Sequence, residues 1–341
     1  MKTQAFQIHQ FGDAQKAFRL TEFELPSLRE GFVRIRVEAF GLNFADVMAR
    51  KGLYRELPPL PAVPGYEVVG VIDDPGSSAF RKGERVLAFT RFGGYARHVI
   101  ADARVVTPVP DSLDVIQALA CATQGCTAWY AAEQCFPVRK GDHALVLAAA
   151  GGVGSILVQM LAQKGAVVYG ATRTASKSSA ILGLGAHHVI ITQSADPAEY
   201  IFKHRNGKGF DVVYDNAGGK TFRKLMKTLE PGGRIAGYGA AERLNLSGPL
   251  ATVRLALGFG FINPVQLLMP SKTIAGINML RIADNKPEII GEGMREMINA
   301  IQEQKLRVIN GGVFPHHQLA EAHTLLESGT STGKIAVVWE S

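Results

Sequence analysis

One segment restricts the fold of this chain more than any other. From Ala144 an apolar run, ALVLA, leads directly into Ala149-Ala150-Gly151-Gly152-Val153-Gly154 and then into SILVQMLAQ, whose apolar residues recur at helical spacing. A strand can pass into a helix this abruptly only if the backbone turns tightly between them, and glycine permits that. Strand, glycine-rich turn and helix in this order form the phosphate-binding turn of a βαβ unit, a G-x-G-x-x-G pattern with Ala149 at the first glycine position. Gly151 lets the backbone approach a pyrophosphate, and Gly154 lets the helix pack on the strand. The first N–H groups of the helix, with Ala150, Gly152 and Val153 completing the loop, face an anion. Ala144 to Ala162 carries no charge over nearly the ~20 residues that span a bilayer, but its central glycines suit a turn and not a membrane helix.

After this loop, short apolar runs alternate with helical patterns at the spacing of βαβ units. Strands are expected at Ala144–Ala148, Val167–Ala171, His188–Ile191, Asp211–Asp215, Arg234–Gly239 and Thr273–Ile277. Helices are expected near Val153–Gln163, Ser176–Leu184, Pro197–His204 and Lys220–Leu229. Six parallel strands with crossovers make an α/β doubly wound sheet of the Rossmann kind. Before about Thr123 the texture is different: short alternating strands such as Phe32–Phe40, punctuated by Gly and Pro, read as an antiparallel β domain. The residues after Asn278 are too few for a core of their own and are expected to return to that domain. The expected division is 1–123, 124–265, and 266–341, the last holding the sixth parallel strand and then the return segment.

The second parallel strand identifies the dinucleotide. An NAD site places an acid about 20 residues past the glycine loop, whereas an NADP site lacks it and meets the phosphate with a base. Here the stretch is Tyr169-Gly170-Ala171-Thr172-Arg173-Thr174-Ala175-Ser176-Lys177, with no acid. Arg173 and Lys177, with the hydroxyls of Thr172 and Ser176, are expected to receive the 2′-phosphate of NADPH; a solvated helix start is the alternative. Asn216, Gly237 and Gly239 fall at later strand ends, along the carboxyl edge where open α/β sheets bind ligands.

Composition excludes more than it assigns. The net charge is +7, from 37 basic against 30 acidic residues, but no run of four Lys/Arg occurs and a nucleic-acid partner is not expected. Three cysteines at 121, 126 and 135 fit neither a zinc pair nor a disulfide set. They fit a reducing compartment, and with no secretory signal at Met1 the expectation is cytoplasmic.

Five motifs carry a family resemblance: Gly41-Leu42-Asn43-Phe44-Ala45-Asp46, Pro64-Gly65-Tyr66-Glu67, Lys82-Gly83-Glu84-Arg85-Val86, Gly93-Gly94-Tyr95-Ala96 and Ala148–Gly154. With them the whole chain resembles the medium-chain dehydrogenase/reductase superfamily, in its zinc-free quinone oxidoreductase branch, and within it the vesicle amine transport protein-like members. The resemblance implies a GroES-like antiparallel β catalytic domain beside the Rossmann sheet, and NADPH-dependent hydride transfer to quinones, enones or other activated carbonyls and alkenes. Zinc relatives carry Cys where this chain has Leu42 or Asn43 and His where it has Tyr66. Glu67 alone holds no catalytic zinc, so no metal is expected.

By position in the family pattern, Tyr54, Asn43 and Asp46 would line the catalytic site. Tyr54 is the first choice as a hydrogen-bond donor, with a buried structural tyrosine the alternative. Asn43 would hold the substrate oxygen or the nicotinamide ribose, or else cap the helix Phe44–Arg50; Asp46 would belong to a hydrogen-bond network. Thr127 would contact the nicotinamide or cap a helix, and Lys334 would reach the cofactor phosphates. A homodimer is expected from the family and from the open sixth strand. The rival reading is a low-turnover NADP(H)-binding interaction protein, possible at membranes through the apolar stretch Leu244–Met269; membrane association is not the expectation.

Overall fold

The computed structural model describes residues 1–341 other than Ser247, Pro249 and Ser341. Two positions of the apolar stretch Leu244–Met269 therefore lie outside the described residues. The chain divides into two compact units, Met1–Cys126 with Met279–Ser341, and Thr127–Asn278. Strands of the first unit are β1 (Lys2–Ile8), β2 (Phe18–Glu24), β3 (Phe32–Leu42), β4 (Glu67–Asp74), β5 (Arg85–Phe89), β6 (His98–Asp102) and β7 (Val106–Pro108). The second unit contributes β8 (His143–Val146), β9 (Val167–Thr172), β10 (His188–Ile191), β11 (Phe210–Asp215), β12 (Leu229–Gly237) and β13 (Thr273–Gly276). The return segment adds β14 (Asn310–Pro315) and β15 (Lys334–Val338) to the first unit.

In the first unit β1 and β2 form a hairpin, which the sequence reading did not anticipate. The main sheet runs β14-β15-β3-β4-β5-β7, with β6 also paired to β3. All its pairings are antiparallel except β14 with β15. The alternation in FVRIRVEAF has a direct consequence: Val33, Ile35 and Val37 turn inward, joining Val68, Ile72, Val86, Ile335 and Val337 in the core. Register then builds the site. Ile335 opposes Leu42 and Val68 opposes Phe40, so the first residues of β15 and β4, Lys334 and Glu67, arrive beside the end of β3, where Asn43 starts the helix Phe44–Arg50.

The second unit is a parallel sheet in the order β10-β9-β8-β11-β12-β13. In chain terms this is 3-2-1-4-5-6, the doubly wound order, with its switch point between β8 and β11. Leu145, Tyr169, Val213 and Ile235 fill the core with Phe210 and Phe222. The glycine loop is required by close packing, because a Cβ at Gly154 would overlap the Ala148 carbonyl. Helix Gly219–Lys227 ends earlier than expected, and β12 already begins at Leu229.

Candidate functional site

At the end of β3 the first unit buries an ion pair. Lys334 and Glu67 are both 0% exposed and joined through Nζ and Oε1. Lys334 Nζ also donates to the Leu42 carbonyl (3.3 Å) and Asn43 Oδ1 (3.4 Å). Glu67 additionally accepts Asn43 Nδ2 (2.9 Å) and the Thr123 N–H (2.7 Å). A buried charge is tolerated only when paired and hydrogen-bonded, and here both conditions hold. Gly41 makes the space, since a Cβ there would overlap both partners.

Asp46 stands beside this pair without a cation of its own. Its Oδ2 accepts the Asn43 N–H at 2.8 Å. Burial is the main cause, and Glu67 a lesser one, that pushes the Asp46 carboxyl up to about 8; the Asn43 N–H acts in the opposite direction. The group is therefore a neutral acid at pH 7. Three phenols are held in their protonated forms around it. Burial and then Asp46 push Tyr66 and Tyr95 far up, and burial, Glu56 and Asp46 raise Tyr54. Tyr95 is hydrogen-bonded to His323 Nε2 at 3.0 Å. His323, fully buried, is pushed down to about 3 and stays neutral. The Tyr66 ring lies edge-on to Tyr54 at 6.0 Å, and Phe92 packs against both.

The second unit holds a cavity of about 560 Å³ at the carboxyl ends of its strands. Leu147 and Ala148 after β8, Thr172 and Arg173 at β9, and Asn216 after β11 all line it. The adjoining helix Gly152–Gln163 begins at Gly151 with no side-chain cap, leaving its first N–H groups for a ligand. Asp215 turns its carboxylate onto the N–H groups of Ala217 (2.7 Å) and Gly218 (3.1 Å) and so fixes the β11 turn. Burial raises its carboxyl to about 6 against these bonds.

The structure brings Asn43 and Asp46 together in one buried network, with half-buried Tyr54 at its edge. Asn43 is the N-cap of its helix, where Asp46 Oδ2 reaches back to the Asn43 N–H at 2.8 Å, and its amide is turned onto Glu67 and Lys334. Lys334 is a correction: its fully buried amine is committed to Glu67, which leaves it no face for a cofactor phosphate. In the second unit Ala150 and Gly154 are buried, Gly151, Gly152 and Val153 half-buried, and Thr127 is buried in the short helix Cys126–Trp129. Ser176 and Lys177 lie on the short turn Ala175–Lys177, where Ser176 Oγ meets Thr174 Oγ1 at 3.0 Å. Gly237 ends β12, and a Cβ at Gly239 would overlap the Asn216 backbone. Sequence reasoning missed Thr192, Gln193 and Ser194, which line the cavity just past β10; polar residues ending an apolar strand were the available signal. It also gave no role to Tyr66, Tyr95 or His323, which are contiguous only in space.

The donors around Glu67 do not fit zinc. An amide, phenols and a carboxylate already held by an ammonium replace the thiolates and imidazoles zinc prefers. Among the described residues the one group with metal-ligand spacing is His316, His317 and Glu340, none of them an expected site residue.

Known proteins agree with this architecture. Residues 29–111 match the alcohol dehydrogenase GroES-like domain, and residues 184–337 match the zinc-binding dehydrogenase family. A 2-haloacrylate reductase from Burkholderia sp is 31% identical over 340 residues, covering 97% of each chain. The human synaptic vesicle membrane protein VAT-1 homolog is 30% identical over 319 residues, 92% of this chain and 80% of that one. The structure of Escherichia coli quinone oxidoreductase complexed with NADPH matches with a TM-score of 0.84 at 25% identity, covering 98% of this chain and 99% of that one. The fold and site define a two-unit oxidoreductase of the GroES-like and Rossmann type. The chain belongs to the medium-chain dehydrogenase/reductase superfamily, in its quinone oxidoreductase branch.

Proposed function

We propose that the chain is a metal-independent, NADPH-dependent reductase of quinones or of alkenes activated by a conjugated carbonyl or carboxyl group. The observation that carries this reading is the end of β9. Arg173 and Thr172 line the cavity there, and no carboxylate stands where a ribose hydroxyl would be read. The NADPH held by the Escherichia coli relative and the haloacrylate named for the Burkholderia relative support the same reading.

Bound NADPH would supply the hydride. Gly151, Gly152, Val153 and the helix that follows would hold its pyrophosphate, and Thr172 and Arg173 its 2′-phosphate. On the first unit, the Tyr54 hydroxyl is the donor to the substrate oxygen, where negative charge develops. Asn43, tied to Glu67 and Lys334, is a positioning residue. Titration with NADPH and NADH, then NADPH oxidation across a quinone, enone and haloacrylate panel, tests the reading. NADPH is expected to bind at least tenfold more tightly; equal affinities, or no acceptor reduced, would overturn it.

A second copy of the chain is the expected partner. Strand β13 ends the parallel sheet with one side unpaired, and before it Leu257 (71% exposed), Phe261 (85%), Leu268 (75%) and Met269 (77%) present apolar surface. A bilayer could cover the side chains but could not satisfy the open strand edge, whereas a second β13 could do both. Among the described residues no helix is long and apolar enough to cross a membrane. Sedimentation should give twice the chain mass, and Leu268→Asp with Met269→Asp should halve it; flotation with liposomes would favour the membrane reading instead.

A further inference from the structure

We infer that His316, His317 and Glu340 bind one divalent transition-metal ion of the zinc class, at the end of the first unit's sheet remote from Glu67 and Lys334. The site stands apart from the reductase reading. Strand register creates it. β14 and β15 are a parallel pair in which Pro315 opposes Val338, so the two segments leave the sheet side by side. His316 and His317 follow β14 on the short 3₁₀ helix His316–Gln318, and Glu340 stands two residues past the end of β15. Each side chain offers one ligand atom, and the three atoms lie within 4.8 Å of one another. Ligand atoms held about 2.0–2.2 Å from one zinc ion are at most about 4.4 Å apart, so the three need close by only a few tenths of an ångström. The exposed side chains of His317 (60%) and Glu340 (55%) have that freedom, and Nδ1 of the first already stands 3.3 Å from Oε2 of the second.

His316, the third ligand, is held in place by its neighbours. Its ring packs on Trp339 at 5.0 Å, and Trp339 stacks in turn on Phe6 at 5.5 Å. Trp339 is itself fixed, its indole N–H donating to the Ala96 carbonyl (3.2 Å) and its backbone N–H to the Glu38 carbonyl (3.0 Å). His316 Nδ1 is shielded from solvent and has no hydrogen-bond partner among the described residues. With no such bond to set its tautomer, the ring can present a lone pair to an ion. The His316 and His317 ring centres lie 5.8 Å apart with their planes at 81°. Two imidazoles on one ion, each centred about 3.2 Å from it, place their centres about 5–6 Å apart, and the observed pair falls in that range. The neighbouring cation, Arg97, is already engaged. It donates to Gln4 Oε1 (3.1 Å) and to the Glu340 backbone carbonyl (3.0 Å), and its guanidinium lies over the Trp339 ring.

Two imidazoles and a carboxylate suit zinc, nickel or copper, whereas calcium and magnesium call for oxygen ligands throughout. Water would complete the coordination on the exposed side. Such an ion is not a catalytic one here. Lys334 begins β15 and Val338 ends it, about 13 Å further along the strand at roughly 3.3 Å per residue. The ion would act as a clasp, joining the end of β14, the last strand on its side of the sheet, to the segment that follows β15. A group that binds only the folded chain stabilises it, so occupancy should be readable as stability.

Calorimetric titration of the full chain with zinc should show one ion bound per chain with micromolar affinity, and titration with magnesium should show none. His317→Ala should weaken zinc binding at least tenfold, and His317→Ala with Glu340→Gln should abolish it. Both positions are exposed, so these variants keep the fold. Saturating zinc should raise the melting temperature of the unaltered protein by about 5 °C and leave that of the double variant unchanged. No zinc uptake by the unaltered protein would overturn the site. Uptake and stabilisation undiminished in the double variant would overturn it equally, because the ion would then be held elsewhere on the chain. Reduction of acceptors is measured separately, so failure of the reductase reading would leave the zinc result standing, and the reverse.

Discussion

The two units build their sites from opposite materials. In the second, the working surface is mostly backbone: a glycine loop, a helix start with free N–H groups and strand ends opening into a cavity. Two exposed cations line it, Arg173 and Lys224, the second paired with Asp196 at 2.7 Å. In the first unit the site is made of side chains that burial makes reactive or inert. Glu67, Lys334, Asp46 and His323 are all 0% exposed: the first two are held by one another, and burial pushes the other two toward their neutral forms. Exposed side chains bordering the backbone-built site can be altered with little effect on folding, whereas a buried side-chain site couples chemistry to stability at every position. Mutations should therefore separate function from stability in the second unit and fail to do so in the first.

The largest effect should come from breaking the ion pair. Lys334→Met leaves Glu67 as an uncompensated buried carboxylate still accepting from Asn43 and Thr123. Removing one partner of such a pair costs roughly 3–5 kcal/mol, while replacing both with neutral groups is often tolerated. The single variant should lower the unfolding free energy of the first unit by that amount in denaturant titration, and Lys334→Met with Glu67→Gln should recover most of it. If the single and double variants are equally stable, the pair is not what holds the end of β3.

The next effects are slopes against pH, and Asp46 and His323 give opposite signs. Asp46 is raised from an unfolded value near 3.9 to about 8. Between these limits the folded state holds a proton that the unfolded state has lost. The stabilisation is full below about pH 4 and declines by roughly 1.4 kcal/mol per pH unit until about pH 8. His323 is lowered from about 6.5 to about 3. Its contribution is full above pH 6.5 and is lost at a similar rate as pH falls. The slopes cancel between about pH 4 and 6.5, so the first unit should be most stable across that window. Above it only Asp46 acts. Asp46→Asn should abolish the fall in melting temperature between pH 6.5 and 8, and an unchanged fall would mean that Asp46 is ionised in the folded protein.

The same contrast explains what could be read from the sequence. The parallel sheet and its glycine loop were legible because their signals are local: strand, loop and helix lie within Ala144–Gln163, and the base after β9 is in the next βα unit. Asn43, Asp46 and Tyr54 were legible through family motifs, but their partners were not. Lys334 meets Asn43 across 291 positions, and Tyr95 meets His323 across 228. Such contacts are created by register, β15 on β3 and β3 on β4, and no spacing in one sequence carries register between distant strands. Lys334 follows the turn-like Thr332 and Gly333 in sequence, whereas its partners at the end of β3 are reached only through strand register.

The smallest expected effect is the cleanest test of the backbone-built side. Arg173 is exposed and lines the cavity without an ion pair among the described residues, so no folding energy depends on it. Arg173→Ala should leave the melting temperature within a degree or so, since surface changes of this kind fall within about 0.5 kcal/mol. NADPH affinity should nevertheless drop about tenfold, roughly 1.4 kcal/mol, with NADH affinity unchanged. Fluorescence titration with both cofactors measures the ratio directly. A parallel loss for NADH would move Arg173 from the 2′-phosphate to the pyrophosphate. No loss for either would shift the phosphate to the polar residues past β10, Thr192, Gln193 and Ser194, which line the same cavity from the neighbouring strand.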